Sequence, residues 1–545
     1  MTHSGVAFNL IDEPWIAVLD RDGHVVELSL SEVFARAESL EQIVGEVPTQ
    51  QFAILRLLLA ILHRATGGPK DLTAWVALSQ DWTLAARLAT DYLERFHERF
   101  DLRHPSEPFF QVADLRTEKG EVSGLEKLIA DVPNGSPYFT TRLGRGLARI
   151  GWAEAARWLV HVQAFDPSGI RSGAVGDPRV NGGKGYPIGP AWAGQLGGIS
   201  LVGEHLAETL VLNLVVPDMV DIETSAGDLP PWERAHLDQC ADESHGGEPR
   251  GLVDLYTWQS RRVRLSGDDD GVTGVLIAQG DRAAPQNRQV FEPMSAWRFS
   301  EPQTKKSGVP TYMPRSHSAE RQFWRGLEAL IPHSEKDSSG AGAPRSLQPK
   351  VVQWAARVRE RTDLLAPVVR LRATGVEYGP QNSTFAEIID DELVLPADVL
   401  DDDALAHCAI DAVDSAEAGV RALVQLARNV ARASGGSTED EGPGNRARER
   451  AYAELDVQFR AWLVGLSSEA DRRDMSAVWH GRVRDLLYRL SRQIISEAGP
   501  AAWVGRSVQG THVDLGRADA WFRTALSKAL PLAARAVDEG EGKHE

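Results

Sequence analysis

The sequence predicts an α+β protein: a large mixed domain over residues 1–396, followed by an all-α four-helix bundle over residues 397–545. Three observations predict it. The chain opens on a strand–turn–strand pattern. Apolar, strand-like runs then recur between amphipathic helices as far as LVLP, ending at Pro396. Beyond that point four amphipathic helical segments follow in series, joined by short or solvated links.

Residues 8–30 read FNLIDEPWIAVLDRDGHVVELSL, in which WIAVL and HVVELSL suit strands and Arg21-Asp22-Gly23 suits a hairpin turn. A helix starts at Ser29 or Ser31, with Glu32 near its first turn. TQQFAILRLLLAILHRAT, residues 49–66, is apolar almost all round and predicts a buried helix, stopped by Gly67-Gly68-Pro69. His63 inside it is expected to be a core or edge histidine. Residues 71–100 continue as amphipathic helix, and HPSEPFFQV, residues 104–112, reads as a short extended segment made for packing. A short helix is expected over VSGLEKLIADVP, residues 122–133. The polar loop 134–151 places Tyr138 and Phe139 among Arg142, Arg145 and Arg149. That mixture suits stacking on unpaired bases with phosphate contacts, and equally suits a loop with two buried aromatics.

Helical WAEAARWLVHVQAF leads into residues 165–198, FDPSGIRSGAVGDPRVNGGKGYPIGPAWAGQLGG. Glycine recurs too often there for a helix or an ordinary strand. Arg171, Arg179 and Lys184 are its cations, with Asp166 and Asp177 as the acids. Glycine admits a close neighbour, and bare N–H groups with a few cations suit phosphate or a groove edge. A surface loop that only needs its turns is the plain alternative.

Residues 199–217 are apolar and β-like. Residues 254–282 read as strands about an acidic turn at 268–270, and 282–299 as a polar loop entering an aromatic strand. LEALIP, residues 327–332, ends a short helix, and 332–346 form a flexible insert. Residues 351–365 are helical, 368–379 strand-like, and PQNSTFAEIIDDELVLP closes the mixed domain. The four terminal helices follow, with GGSTEDEGPGN as a solvated linker between the first two.

No catalytic constellation is present: no HExxH, CxxC or GxSxG occurs. GGKGY resembles half a phosphate loop, but Pro178 and Gly185 stand where that motif needs glycine and serine or threonine. Ile188 takes the third glycine of a dinucleotide loop, and Pro187 blocks a following helix turn. His236, Cys240 and His245 lack an evident fourth ligand, so no metal is expected. No cofactor is expected either. A net charge of −18 argues against a freestanding nucleic-acid binder, although a local patch or a partner's basic channel suffices for binding. Fifteen tryptophans suit large cores or interfaces. Cys240 and Cys408 make no disulfide framework, and no signal peptide or membrane span is read, so a cytoplasmic location is expected. These readings favour a binding subunit. A nucleotide-dependent enzyme using Lys184 and a purely structural subunit are the alternatives.

FNLIDEPWIAV, HPSEPFFQV, the LEKL…YFTTR loop, the glycine-rich stretch and the closing helices follow one another as in the CasA family. The chain resembles that family over nearly its whole length. CasA is the large subunit of the type I-E CRISPR surveillance complex, Cascade. The resemblance implies a non-catalytic subunit that recognises the protospacer-adjacent motif in double-stranded DNA through the minor groove. It implies unwinding of the adjacent duplex, so that R-loop formation begins, and recruitment of a helicase–nuclease. Protein would read a short motif and guide RNA the rest. Partners implied are target DNA, the guide RNA 5′ end, the backbone and small subunits of Cascade, and the helicase–nuclease.

By resemblance, the motif-facing glycine loop falls on Gly169, Ile170, Arg171, Ser172 and Gly173, small residues suited to a narrow groove. Phe139, Thr140 and Thr141 fall on the segment beside the guide RNA 5′ end. The family's basic residue before an aromatic strand falls on Arg288, with Asn287 and Gln286 beside it, where a lysine is usual. The strand-separating wedge falls on Gln381 or Asn382; a neutral amide can stack on a base and bond its edge. Arg179 and Lys184, with Arg171, would add salt-sensitive phosphate attraction. Some relatives carry cysteine pairs in the middle region, which this chain lacks.

Overall fold

The computed structural model describes residues 6–132, 142, 147–235, 238–240, 248–332 and 343–533. Phe139, Thr140, Thr141, His236, His245 and most of the insert expected at 332–346 lie outside the described residues.

The chain divides into two compact units. The first comprises Met1–Arg321, Glu335–Val358 and Arg370–Glu392. It opens on strands Ile16–Asp20 and Val25–Leu28, paired antiparallel around the Arg21-Asp22-Gly23 turn, with Leu40–Ile43 on the other edge. Ser29 caps the helix Leu30–Arg36: its Oγ accepts from Glu32 N–H at 3.2 Å, and the Glu32 carboxylate accepts from Ser29 N–H at 2.9 Å. The helix Pro48–Thr66 is buried along nearly its whole length and ends at Gly67, which takes φ 74°. Each of its fully buried leucines contributes about 1.5–3 kcal/mol. Arg56 can sit inside this helix because Glu292 accepts from both terminal guanidinium nitrogens, at 2.8 and 2.9 Å.

Several local expectations differ, among them the start of the 254–282 stretch, where Leu252–Tyr256 is helix and not strand. Residues 104–112 form turns rather than an extended segment, with Phe109 and Phe110 stacked 4.1 Å apart in the core. The helix expected over 122–133 is a single 3-10 turn, Leu125–Lys127. The apolar run after Ile199 is only partly β: strand Gly198–Val202 gives way to helix Leu206–Asn213, which His205 caps through its imidazole. The glycine-rich stretch builds a sheet of two-residue strands, Arg171–Ser172, Val180–Asn181 and Lys184–Gly185, with the last in the centre. The strand pair Arg261–Asp268 and Gly271–Gln279 backs this region. Val368–Tyr378 lies between Phe385–Pro396 and Gly198–Val202 in another three-stranded sheet.

The second unit comprises Gln322–Ser334, Arg359–Val369 and Leu393–Glu545. Its helices Asp403–Ala433, Gly442–Leu463, Arg472–Ser496 and Leu515–Ala529 pack with the first against each of the other three. Asp402, Asp471 and Asp514 cap three of them with their carboxylates. The segment Phe323–Ala329 belongs here: Trp324 stacks on Phe459 at 4.4 Å, and Arg325 pairs with Glu417 at 3.0 Å. A hairpin, Arg506–Val508 with Thr511–Val513, precedes the last helix. Its turn residues Gln509 and Gly510 both have positive φ. Among the described residues no helix is long and apolar enough to cross a membrane.

Candidate nucleic-acid interface

The helix Trp152–Phe165 ends at Asp166, which opens the glycine-rich stretch. The Asp166 carboxylate accepts from Arg261 Nε at 2.5 Å and from Arg171 Nη2 at 2.6 Å. Arg261 is buried, and its Nη2 also donates to the carbonyls of Pro167 at 3.1 Å and Gly189 at 2.9 Å. Gln279 Nε2 donates to the carbonyls of Gly169 at 2.8 Å and Gly185 at 3.3 Å. Two neighbouring strands thus hold the stretch by its backbone.

Within it, Gly182 and Gly183 take φ 58° and 71° in a two-residue turn between Asn181 and Lys184. Gly173 is buried, and a Cβ there would lie 2.6 Å from the Gly183 carbonyl carbon. Only glycine allows that approach. The exposed side of the stretch carries Ile170, Asn181, Lys184 and Tyr186.

The expected wedge residues occupy the tip between strands Val368–Tyr378 and Phe385–Pro396. Gly379 N–H bonds the Thr384 carbonyl at 2.9 Å and closes the tip. Gln381 and Asn382 stand exposed at φ 58° and 56°, a left-handed conformation that costs a non-glycine residue about 1–2 kcal/mol. Ser168 N–H donates to the Asn382 carbonyl at 2.7 Å, so tip and glycine-rich loop touch. Tyr378 Oη donates to the Phe165 carbonyl at 2.7 Å. Burial pushes the Tyr378 hydroxyl well above its ordinary value and keeps it a donor. Both loops line a cleft of about 150 Å³, Ile170, Arg171 and Ser172 from one and Ser383, Thr384 and Phe385 from the other, with residues 126–130 completing it. His161 also lines it, bonds Thr49 at 2.9 Å, and is held neutral by burial, which lowers its pKa to about 3.

The expected cations fare differently. Arg171 folds back on Asp166, and Arg179 on Asp177 at 2.8 Å with Nη1 on the Gly280 carbonyl at 3.0 Å. Lys184 is exposed, with no ion pair among the described residues. It sits in a hairpin strand, not between a strand and a helix N-terminus as a phosphate loop requires. Arg142 pairs with Glu154 at 2.5 Å, and Arg149 pairs with Asp268. Arg288 pairs with Glu248 and donates Nε to the Ala284 carbonyl at 3.0 Å. Asn287 takes φ 55° and accepts from Tyr312 N–H at 2.7 Å. Both side chains are thus engaged with other segments, Asn287 with Pro310 and Tyr312 and Arg288 with Glu248. Asp20, Asp22 and His24 bring potential ligand atoms within 4.8 Å, but the Asp20 carboxylate already accepts from the backbone N–H groups of Asp22 and His24.

The model of the family described as CRISPR-associated protein Cse1 matches residues 9–490. The chain belongs to this Cse1 family. A CasA/Cse1 protein of Thermus thermophilus is 33% identical over 336 residues, a match covering 60% of this chain and 60% of that relative's length. Cse1 of Thermobifida fusca, solved as a crystal structure, is 45% identical, covers 97% of this chain and 99% of its own, and superposes with a TM-score of 0.88. A chain in a solved CRISPR RNA-guided surveillance complex shares the Cse1 fold at 21% identity, over 90% of this chain and 99% of its own, with a TM-score of 0.68.

Reading the sequence did not find Asp166, Arg261, Gln279 or Tyr378 as supports of the Cse1 loops. Asp166 carried the one local signal: an acid placed five residues before Arg171 in a stretch with little charge.

Proposed function

We propose that this Cse1-family chain is the large, non-catalytic subunit of a CRISPR RNA-guided surveillance complex. It reads a short motif in double-stranded DNA from the minor-groove side and opens the adjacent base pair. One observation carries this reading: the Ser168–Asn382 hydrogen bond, at 2.7 Å, joins a glycine-rich loop to a tip that holds two exposed amides. Backbone enters a narrow groove where side chains do not. A neutral amide beside it replaces a base partner without a charge to desolvate. Lys184 adds general attraction to phosphate, and Gly169 to Gly173 with Arg288 and Asn287 are the motif-facing residues.

The same reading assigns Phe139, Thr140 and Thr141 to the guide RNA 5′ end. It assigns the helical unit, taken as a four-helix bundle, to contacts with other subunits and the helicase–nuclease in the cytoplasm. R-loop initiation and target degradation follow from these partners.

The test is binding of the chain, assembled with its complex, to duplexes that differ only in the adjacent motif. Discrimination between them, with fluorescence of a base analogue rising at the neighbouring pair, is expected. Equal binding and no rise would leave the structural-subunit reading in its place.

A further inference from the structure

We propose that Tyr378 is a positioning residue that locks the glycine-rich loop and the 379–384 tip into one unit, so that motif contact and strand opening are a single mechanical event. This rests on the function proposed above. Tyr378 immediately precedes the tip, and Phe165 immediately precedes Asp166, the root of the loop. The Tyr378–Phe165 hydrogen bond, 2.7 Å, therefore ties the two roots. The Ser168–Asn382 bond, also 2.7 Å, ties the two loops farther out. A single tie is a hinge; two ties at different points fix relative orientation.

The surroundings are shaped for the Tyr378 hydroxyl. A Cβ on Gly194 would lie 2.1 Å from Tyr378 Oη, so glycine there makes room for it. The Tyr378 ring lies 5.6 Å from the ring of Phe385, the first residue after the tip. Phe165 is the last residue of its helix, where a carbonyl has no intrahelical partner and needs a donor from elsewhere. Arg261 and Gln279 hold the loop from the strand pair 261–279, and Tyr378 reaches its root from the tip strand.

The experiment compares the full chain with Tyr378→Phe, which keeps the ring and removes the one bond. Hydrogen exchange in the free protein reads the coupling without DNA. Protection is expected to fall by about five-fold, the equivalent of one modest hydrogen bond, in peptides covering 166–173 and 379–384 together. Loss in one segment alone, or in neither, overturns the proposal.

The assembled complex then reports on duplexes with and without the motif. The discrimination ratio and the opening per bound duplex are expected to fall together by about five-fold, and Tyr378→Phe with Gln381→Ala to be non-additive in opening. One quantity falling while the other holds overturns the coupling and leaves the functional reading standing. A wild-type complex that neither discriminates nor opens overturns both.

Discussion

Arg261 grips the Asp166 carboxylate at 2.5 Å, with both side chains almost fully buried. A buried guanidinium needs its donors met, and here the Asp166 carboxylate takes Nε, the Ser260 carbonyl takes Nη1, and the Pro167 and Gly189 carbonyls take Nη2.

Arg261→Leu is therefore expected to destabilise the first unit by about 3 kcal/mol, because it leaves Asp166 with Arg171 alone. Arg261→Lys should rescue little, since an ammonium cannot span those acceptors as a planar fork does. Denaturant unfolding followed by tryptophan fluorescence measures both.

At the tip, Gln381→Gly should keep or raise stability by up to about 1 kcal/mol, since glycine accepts φ 58° without strain. The same change should abolish strand opening, read by a base analogue next to the motif. Asn382→Gly is expected to retain opening, because the atom of Asn382 bound to the loop is its carbonyl oxygen. The opposite pattern would move the wedge to Asn382.

Two glycines of the loop should respond differently to alanine. At Gly173 the new methyl meets backbone, at 2.6 Å from Gly183, and the small sheet must give way. At Gly169 it meets only the end of the Arg171 side chain, at 2.9 Å, which can swing aside. Gly173→Ala is expected to raise exchange across 171–185 and lower motif discrimination. Gly169→Ala should leave exchange unchanged, and circular dichroism should find both variants folded.

Stability should fall with acid through His63 and His161. Burial lowers both to about pKa 3 in the folded chain, against 6.5 when unfolded. Above pH 6.5 both are neutral in either state and add no slope. From 6.5 down to 3 the unfolded chain binds protons that the folded chain refuses, so each histidine costs about 1.4 kcal/mol per pH unit. His63 Nε2 has no hydrogen-bond partner among the described residues, so His63→Leu loses no bond there. It should reduce the slope between pH 6 and 4 by about one proton, read from melting temperature against pH.

The parts legible in the sequence were those written locally. The Ser29–Glu32 capping pair, the turn at Gly23 and the apolar run ending at Gly67 each carry their instruction within a few residues. Trp324 gave no such signal, because its partner Phe459 lies far along the chain. The glycine-rich stretch misled in the same way. Composition speaks against strands, yet the backbone pairs into a small sheet, and Gln279 and Arg261, far along the chain, bond carbonyls at Gly169, Gly185 and Gly189. Of the candidate residues, Gln381 and Asn382 were readable as an exposed amide pair, but not their left-handed backbone. Arg171 and Arg179 are legible as cations, but their pairing is not, because the sequence shows charge and not geometry. Asp166 and Asp177, five and two residues away, neutralise them.

The contact between Ser168 and Asn382 uses only main-chain atoms. Side chains at both positions can therefore drift without loosening it, while an insertion or deletion in either loop would pull the two groups out of reach. Among related chains, loop length on both sides of this junction should vary less than the letters that fill it.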